Sequence, residues 1–294
     1  MRGGLVSAVV ATYEWPEALD AVLRALAEQE DPAFEVVVAD DGSGPETRAV
    51  VSRCADRLGG RVRHVWQPDE GWRKARVLNL AALAARGEYL VFLDGDVLVR
   101  RGFLAAVRRG ALPGWFLAGK RLNLSATLTH RVLEEGLPVW RWSALRWLGR
   151  EVKHLLASPR ETRRPGLFLP VRDRRRHWRD GQGEFHPPYD AYGFFTGVAR
   201  TDFERVNGFD MRFEGWGGED EDLAARLRRA GLRCGWPGTR ATLLHLDHPL
   251  NKGRHPSNQP LVRETMAGTH VEARLGLREL RAELAVKAGQ RSVR

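Results

Sequence analysis

Two aspartates, Asp94 and Asp96, are the first candidates for chemistry in this sequence of 294 residues. They flank Gly95 and come directly after an uncharged, strand-forming run from Tyr89 to Leu93. Two carboxylates separated by a residue without a side chain can together bind a hard divalent cation and the phosphate oxygens around it. An acidic turn is the alternative interpretation, because Asp-Gly is common turn chemistry.

A second acidic group begins a predicted helix in the last third of the chain. It is the run Glu-Asp-Glu-Asp at 219–222, and it follows Trp216-Gly217-Gly218. Acids in a first helical turn complement the helix dipole, which accounts for one or two of them. Four consecutive carboxylates repel one another, and this cost favours a functional site. A tryptophan face beside carboxylates is suited to holding a sugar ring.

Other side chains that follow predicted strands could complete such a site. Asp41 could accept a hydrogen bond from a ring N–H such as that of uracil, although an Asp-Gly turn with a helix N-cap explains it equally well. Tyr13 offers a face on which a base could stack, or it packs ordinarily. His245 and His248 end a strand, and a cation held by Asp96 could recruit one imidazole, since Mn²⁺ accepts mixed nitrogen and oxygen ligands.

Alternating strands and helices are expected to position these residues. The predicted strands are Leu5–Thr12, Phe34–Ala39, Val62–Trp66 and Tyr89–Leu93, and the predicted helices are Glu17–Glu28, Glu46–Leu58 and Lys74–Ala85. A last strand is expected within 234–246 and a helix from 219 to about 230. The alternation predicts right-handed βαβ units, hence an α/β fold with a mostly parallel central sheet flanked by helices. Ligands of such sheets bind at the carboxyl ends of the strands.

The region 111–190 is less regular and rich in arginine and tryptophan. Between Pro138 and Ala157 the apolar residues fall on one helical face, among basic residues and Trp140, Trp142 and Trp147. Such a helix usually packs on its own protein. The alternative is a helix at a membrane interface, where basic and tryptophan side chains contact anionic headgroups.

Composition excludes several classes of protein. With 43% hydrophobic and 29% charged residues the chain is typical of a globular protein, and it has no apolar run long enough to span a membrane. Cys54 and Cys234 form no metal-binding spacing or disulfide framework. The net charge of +10 comes without a nucleic-acid-binding signature, so no nucleic-acid partner is expected. We expect no signal peptide and a cytoplasmic location, with a peripheral position at the inner face of the membrane as an addition.

The ordered motifs resemble those of inverting, family 2-type nucleotide-sugar glycosyltransferases with the GT-A fold. The matching N-terminal motifs are Val9-Val10-Ala11-Thr12-Tyr13, Val38-Ala39-Asp40-Asp41-Gly42-Ser43, Arg76-Val77-Leu78-Asn79 and the segment 87–96. The motifs at 206–210 and 215–223 resemble the galactosyltransferase-like segment of β-1,4-galactosyltransferases and bacterial chondroitin-type polymerases. The resemblance implies a GT-A catalytic domain over 1–264 and a helical tail over 265–294. Within the domain it implies a nucleotide-binding half (1–110), a basic insert (111–190) and an acceptor and catalytic half (191–264).

The resemblance also implies a role for each matched residue. Asp220 would be the base that deprotonates the acceptor hydroxyl, and Glu219 would hold sugar hydroxyls. The implied nucleotide-sugar-binding residues are Thr12, Tyr13, Asp41, Arg76, Asn79, Asp94 and Gly95, with Lys74 also near the pyrophosphate. Trp216 and Gly217 would bind the acceptor. Asp96 and His245, with His248 as the alternative, would hold Mn²⁺ or Mg²⁺.

The implied reaction is metal-dependent transfer of a hexose or N-acetylhexosamine from a UDP-sugar to a hydroxyl of a glycan or lipid-linked glycan, in bacterial surface polysaccharide synthesis. One alternative is a metal-dependent phosphohydrolase, since Asp-x-Asp after an apolar strand also occurs in the haloacid dehalogenase group. There Gly-Thr usually follows the pair, whereas Val97-Leu98 follow here. The other alternative is a non-catalytic protein that binds sugars or polyanions, which the complete set of acids disfavours.

Overall fold

A computed structural model describes residues 4–119, 121–143, 146–147, 178–179, 185–186, 194–249 and 255–291. The strands are β1 Val6–Thr12, β2 Phe34–Asp40, β3 Val62–Trp66, β4 Tyr89–Asp94, β5 Val97–Leu98, β6 Trp115–Ala118, β7 Arg121–Asn123, β8 Trp178–Arg179, β9 Phe185–His186, β10 Phe195–Ala199, β11 Arg233–Gly235 and β12 Leu243–His245. The α-helices are α1 Pro16–Ala27, α2 Pro45–Ala55, α3 Lys74–Ala84, α4 Phe103–Gly110, α5 Ala126–Leu133, α6 Arg200–Arg205, α7 Glu219–Arg229, α8 Asn258–Ala267 and α9 Leu277–Arg291.

A seven-stranded sheet in the order β11-β6-β10-β4-β1-β2-β3 is the centre of the molecule. Strand β1 pairs in parallel with β2 and β4, and β2 pairs in parallel with β3. Strand β10 runs antiparallel between β4 and β6. The predicted α/β fold with a mostly parallel central sheet is therefore confirmed, and the elements predicted over the first 100 residues agree with the observed ones within three residues at their ends.

Helices cover both faces of the sheet, which explains why the central strands are apolar throughout. Helices α1, α2 and α4 pack on one face with alternate β1 residues such as Val6 and Val10. Helices α3, α6 and α7 pack on the other face, which receives Val9. The run Tyr89 to Leu93 is at most 3% exposed, because β4 lies between β1 and β10 in the middle of the sheet. Strands that are buried on both faces of a sheet have continuous apolar sequences.

A smaller sheet, β5-β12-β7, forms just beyond the end of β4. Its strand β12 pairs antiparallel with β5 and in parallel with β7. The last strand predicted within 234–246 is β12, in the small sheet, and the segment also contains most of β11, a strand of the large sheet that was not predicted. Pro237 and Gly238 separate the two strands, and Gly238 has a positive φ of 95°. This break lets the chain leave one sheet and enter the other.

The arginine- and tryptophan-rich region is described only in part. Trp140, Trp142 and Trp147 are at most 7% exposed and belong to the hydrophobic core on the α1 side of the sheet. Rings packed in the core cannot also anchor the chain in headgroups, so the membrane-interface interpretation is wrong for these three residues. The remainder of the predicted helix, 148–157, lies outside the described residues. None of the helices in the described ranges combines the length and apolar composition that a membrane span requires.

Helices α8 and α9 follow the last strand and are the last elements of the described chain. The domain boundary predicted between 264 and 265 falls inside α8. Helix α9 packs against α3 and is held there by an ion pair of 2.7 Å between Arg76 and Glu283. The division of the chain into halves, insert and tail stays a prediction.

Candidate active site

A cleft of about 1040 Å³ opens at the carboxyl ends of β1, β2 and β4. Strand ends, the small sheet, the first turn of α7 and one face of α8 supply its walls. The structure brings into this cleft most of the residues predicted from the sequence: Thr12, Tyr13, Asp41, Asp94, Gly95, Asp96, Trp216, Gly217, Glu219, Asp220, His245 and His248. Their roles stay predictions, but their common location is a finding.

Gly95 allows the two aspartates after β4 to sit against β1. A Cβ at this position would lie 2.4 Å from the carbonyl oxygen of Ala11, which no side chain tolerates. With glycine here, the backbone passes close to β1 while Asp94 and Asp96 both line the cleft. The close approach to β1 therefore requires glycine between the two aspartates, independently of any preference of Asp-Gly for turns.

Asp96, His245 and His248 form a cluster at the small sheet. The potential ligand atoms of the three side chains lie within 4.8 Å of one another. Nε2 of His245 is 3.4 Å and Nε2 of His248 is 3.1 Å from Oδ2 of Asp96. The backbone fixes this proximity, since His245 pairs with Val97 across β12 and β5, and the amide of Leu246 donates to the carbonyl of Asp96.

The charges of this cluster suit a cation. Burial raises the pKa of Asp96, but the two imidazoles against its carboxylate outweigh that effect and hold the pKa well below its usual range. The nearby Asp96 carboxylate raises the pKa of His248. The geometry between the two groups is not that of a hydrogen bond, so Nε2 of His248 has no hydrogen-bond partner among the described residues. Oδ1 of Asp96 is buried without a hydrogen-bond partner among the described residues. Two imidazole nitrogens and a carboxylate with an unused oxygen fit a transition-metal ion such as Mn²⁺.

Lys74 holds the second cluster together. Its Nζ lies 2.8 Å from Oδ1 of Asp94, 3.2 Å from Oε1 of Glu219 and 3.7 Å from Oδ2 of Asp220. The lysine begins α3, the two acids after Gly218 begin α7, and Asp94 ends β4. Three elements that are distant in sequence therefore converge on one ammonium group.

The pKa values of Asp220 and Lys74 in this second cluster are both raised. Burial raises the pKa of Asp220, and neighbouring Glu219 and Asp94 raise it further, against the opposing effect of Lys74. Burial would lower the pKa of Lys74, but the three carboxylates outweigh it and keep the ammonium charged. A buried carboxylate with a raised pKa holds a proton more strongly than an ordinary aspartate does, which suits a general base.

The four acids at the start of α7 have different surroundings. Asp222 forms a fully buried pair with Arg226 at 2.6 Å and accepts a hydrogen bond from the Thr265 hydroxyl at 2.6 Å. It is a structural residue that joins α7 to α8. Glu219 is only 4% exposed, and its Oε2 has no hydrogen-bond partner in the described part of the chain. Because a buried acceptor is costly when unpaired, a ligand hydroxyl in the cleft is the expected donor.

Asp41 and Tyr13 line the cleft near the ends of β2 and β1. Asp41 is 7% exposed, and its two carboxylate oxygens accept hydrogen bonds from Nε2 of Gln67 at 2.5 Å and the amide of Arg73 at 2.8 Å. Burial raises the pKa of Asp41. These bonds orient the carboxylate and leave lone pairs for one further donor. Tyr13 is 48% exposed and donates to Asp69 at 3.1 Å, so its ring is held with a free face.

Arg76 and Asn79 are the predicted site residues that the structure does not bring into the cleft. Residues two apart in a helix point about 200° apart, so Arg76 cannot share the direction of Lys74. Its guanidinium binds Gln67 and Glu283 instead. Asn79 is fully buried and exchanges two hydrogen bonds with the backbone of Phe209, at 2.8 and 2.9 Å. Both residues fix α3 against neighbouring segments.

Several lining residues were not predicted from the sequence. They are Trp15, Trp72, Arg121, Phe194 and the α8 residues Gln259, Val262, Arg263 and Met266. Trp72 carried a signal, because it lies in the loop directly before Lys74 and is 41% exposed. No local sequence pattern indicated that Arg121 or the α8 residues line the cleft, since their positions depend on how the small sheet and the last helices pack.

Comparison with known proteins identifies the class to which these motifs belong. Residues 7–110 match glycosyl transferase family 2, and residues 176–249 match the N-terminal domain of galactosyltransferase. The chain thus carries a family 2 glycosyltransferase segment followed by a galactosyltransferase segment. This confirms the resemblance inferred from the motifs.

Individual relatives match over most of this chain. It is 34% identical over 244 residues to validoxylamine A glucosyltransferase of Streptomyces hygroscopicus subsp. jinggangensis, a match that covers 78% of this chain and 52% of that protein. It is 25% identical over 233 residues to chondroitin synthase of Escherichia coli, which covers 77% of this chain and 32% of that protein. The chain therefore spans about half the length, or less, of these curated relatives.

Solved structures share the GT-A fold. A mannosyltransferase from Pyrobaculum calidifontis, PcManGT, in complex with GDP-Man and Mn²⁺, is 22% identical and superposes with a TM-score of 0.53 over 97% of this chain and 75% of that chain. Residues 1–349 of Staphylococcus aureus TarS, in complex with UDP, are 16% identical with a TM-score of 0.60 over 94% of this chain and 68% of that chain. At these identities the likeness establishes the fold.

Proposed function

We propose that the chain transfers a hexose or N-acetylhexosamine from a UDP-sugar to a hydroxyl of a glycan or lipid-linked glycan, with inversion at the anomeric carbon. The observation that carries this proposal is the position of Asp220. Its carboxylate lies 3.7 Å from Lys74, which is bound to Asp94, in the same cleft as the Asp96–His245–His248 cluster. A buried base and a cation site thus face one space large enough for a nucleotide sugar.

The donor side of the cleft is assigned to Asp41 and Tyr13. The Asp41 carboxylate, oriented by Gln67 and Arg73, would accept the ring N–H of uracil, and the exposed ring of Tyr13 would stack on the base. The complexes of the fold neighbours, one with UDP and one with GDP-Man, support a nucleoside-diphosphate sugar as the donor. The glucosyltransferase among the relatives supports a hexose as the transferred group.

Asp96, His245 and His248 are the residues that would hold a divalent cation. Bound there, it would supply positive charge to the diphosphate oxygens of the donor. The mixed nitrogen and oxygen donors favour Mn²⁺ over Mg²⁺, which prefers oxygen ligands and retains water. The unpartnered Oδ1 of Asp96 supports this assignment, as does Mn²⁺ in the neighbouring mannosyltransferase structure.

The reaction is a direct displacement in which Asp220 takes the proton. The acceptor oxygen attacks the anomeric carbon, its O–H proton passes to Asp220, and a new glycosidic C–O bond forms. The bond between the anomeric carbon and the diphosphate breaks, and its electron pair leaves with the diphosphate oxygen. A single displacement inverts the configuration. Glu219, with its unpartnered Oε2, would hold a sugar hydroxyl beside this reaction.

The acceptor side of the cleft is assigned to Trp216 and Gly217. Trp216 is 41% exposed in the loop before α7, so its ring can carry the apolar face of a sugar next to Asp220. A glycan or lipid-linked glycan of a bacterial surface polysaccharide is the acceptor we propose, and a cytoplasmic location with peripheral contact to an anionic membrane remains part of that proposal. The match to chondroitin synthase supports a glycan acceptor.

A screen of UDP- and GDP-sugars for Mn²⁺-dependent hydrolysis tests this proposal without knowledge of the acceptor. We expect slow release of UDP from one UDP-hexose or UDP-N-acetylhexosamine, and none without the metal. A protein with Mn²⁺ that neither binds UDP nor hydrolyses any nucleotide sugar would contradict the proposal. Release of inorganic phosphate from simple phosphate monoesters would instead support the phosphohydrolase alternative.

A further inference from the structure

Arg121 is a cation in the cleft that neither the sequence motifs nor the proposed roles account for. It begins β7, lines the cleft, and places its guanidinium carbon 5.1 Å from the centre of the Phe194 ring. No carboxylate among the residues that the structure describes lies within ion-pair distance of it. A guanidinium supported by an aromatic face, without an acidic partner, retains its donors for a ligand.

The position of Arg121 is on the cation side of the cleft. Strand β7 pairs in parallel with β12, so that Asn123 lies opposite His245 and Arg121 begins the same strand two residues earlier. Arg121 therefore faces the region in which the proposed function places the diphosphate.

The charge balance of the cleft shows why an additional cation is needed there. In the part of the chain that the structure describes, six carboxylates line the cleft: Asp41, Asp94, Asp96, Glu219, Asp220 and Glu221. The lysines and arginines among these described lining residues are Lys74, Arg121 and Arg263, and Lys74 is already shared by three carboxylates. Arg263 belongs to α8, on the wall next to Met266. Among the described residues that line the cleft, Arg121 is the cation on the small sheet that also carries His245, so it is the one available to a diphosphate bound beside the metal cluster.

We propose that Arg121 binds the diphosphate of the donor and stabilises the leaving nucleoside diphosphate. As the bond from the anomeric carbon to the diphosphate oxygen breaks, its electron pair adds negative charge to the diphosphate, and the guanidinium donates hydrogen bonds to these oxygens. The planar fork of arginine suits two phosphate oxygens at once. This inference rests on the proposed function and adds to it a residue that contacts the leaving group.

The test compares Arg121→Gln with Arg233→Gln by calorimetric titration of UDP and uridine in the presence of Mn²⁺. Arg233 is a matched control, because its guanidinium also covers an aromatic ring, that of Trp115 at 4.2 Å, but it does not line the cleft. We expect Arg121→Gln to weaken UDP binding about 10- to 100-fold, the range of charge-assisted hydrogen bonds, and to leave uridine binding unchanged. Arg121→Lys should recover part of the loss, and Arg233→Gln should bind UDP as the wild type does.

The outcomes separate this inference from the proposed function. UDP binding by Arg121→Gln as tight as that of the wild type would overturn the inference alone. An equal loss of UDP and uridine affinity would also overturn it, since that result indicates a distorted cleft. A wild-type protein that binds neither UDP nor uridine would overturn the proposed function, and the role of Arg121 with it. Melting temperatures of all variants check that each is folded.

Discussion

The cleft contains two groups of acids with opposite kinds of partner. Asp96 is surrounded by two imidazoles, His245 and His248, which are cationic only when protonated. Asp94, Glu219 and Asp220 are instead gathered around one permanent cation, Lys74. Both groups sit at the same end of the sheet and belong to the same cavity, so the difference lies in their partners rather than in their location.

This difference separates two kinds of chemistry. Imidazoles are good metal ligands when neutral, so the Asp96 group can exchange its internal contacts for a cation without losing a fixed charge. Lys74 cannot be a ligand while it is charged, so the other group is unsuited to a metal. One lysine against three carboxylates leaves that group acidic, and burial raises the pKa of Asp220. The first group is therefore suited to hold a cation and the second to move a proton.

The largest expected effect is that of Asp220→Asn. An amide of nearly the same shape cannot accept the proton, so we expect sugar transfer to fall by about 10²- to 10⁴-fold, the usual contribution of a general base. Mn²⁺-dependent UDP binding should remain, because the Asp96 group is unchanged. Transfer rates and UDP titrations on the same preparation measure both quantities.

Asp202→Asn is the matched control for this prediction. Asp202 lies in α6, is partly exposed and does not line the cleft. It should retain the wild-type rate. An Asp220→Asn variant with more than about one tenth of the wild-type rate would assign the base to another residue.

The next effect in size concerns the metal. His245 is 5% exposed and its ring lies 3.4 Å from the Asp96 carboxylate, so His245→Gln should weaken Mn²⁺ binding by at least about 10- to 100-fold, the loss that follows even from removal of outer-shell partners. Titration of free Mn²⁺ by its paramagnetic resonance signal measures this directly. Activity lost with EDTA should return with Mn²⁺ in the wild type.

Lys74→Met provides a second comparison between the two groups of acids. It should not weaken Mn²⁺ binding as His245→Gln does. His130→Gln, an exposed substitution in α5, provides the control for loss of a histidine. If His245→Gln bound Mn²⁺ as tightly as His130→Gln, the Asp96 group would not be the metal site.

The sequence predicted the parts of this site that follow from local pattern. The apolar runs of β1, β2 and β4 end at Thr12, Asp40 and Asp94, and parallel pairing brings such ends together. The acids after Trp216 were recognisable because four consecutive carboxylates are costly. These features depend on residues close together in the chain.

The remaining parts depend on packing over long sequence distances. Nothing local shows that β10 inserts between β4 and β6, or that α8 forms a wall of the cleft. Helical geometry could have separated Lys74 from Arg76, because residues two apart face nearly opposite directions. What the sequence could not show is which of the two faces the cleft, since that depends on α9 and Glu283 on the other side.

The smallest expected effect is a change in the pH dependence of activity when Lys74 is replaced. If its role is to keep Asp220 ionised, its removal should change the pH at which activity is lost more than it changes binding. Asp220 must be ionised to take a proton, so activity falls as pH decreases through the pKa of this carboxyl. That pKa is raised by burial and by Glu219 and Asp94, and it is lowered by Lys74.

Lys74→Met removes the described group that opposes these effects, so the pKa of Asp220 rises further and the acidic limb of the rate profile moves to higher pH. Lys74→Arg keeps the charge and should keep the limb close to its wild-type position. The comparison is between variants in the same buffers, so titrations of the metal ligands are common to all of them. An acidic limb that stays in place in Lys74→Met would show that Lys74 positions α7 without controlling the protonation of Asp220. A limb that moves to higher pH would show that Lys74 sets the pKa of Asp220, as the two imidazoles set the pKa of Asp96.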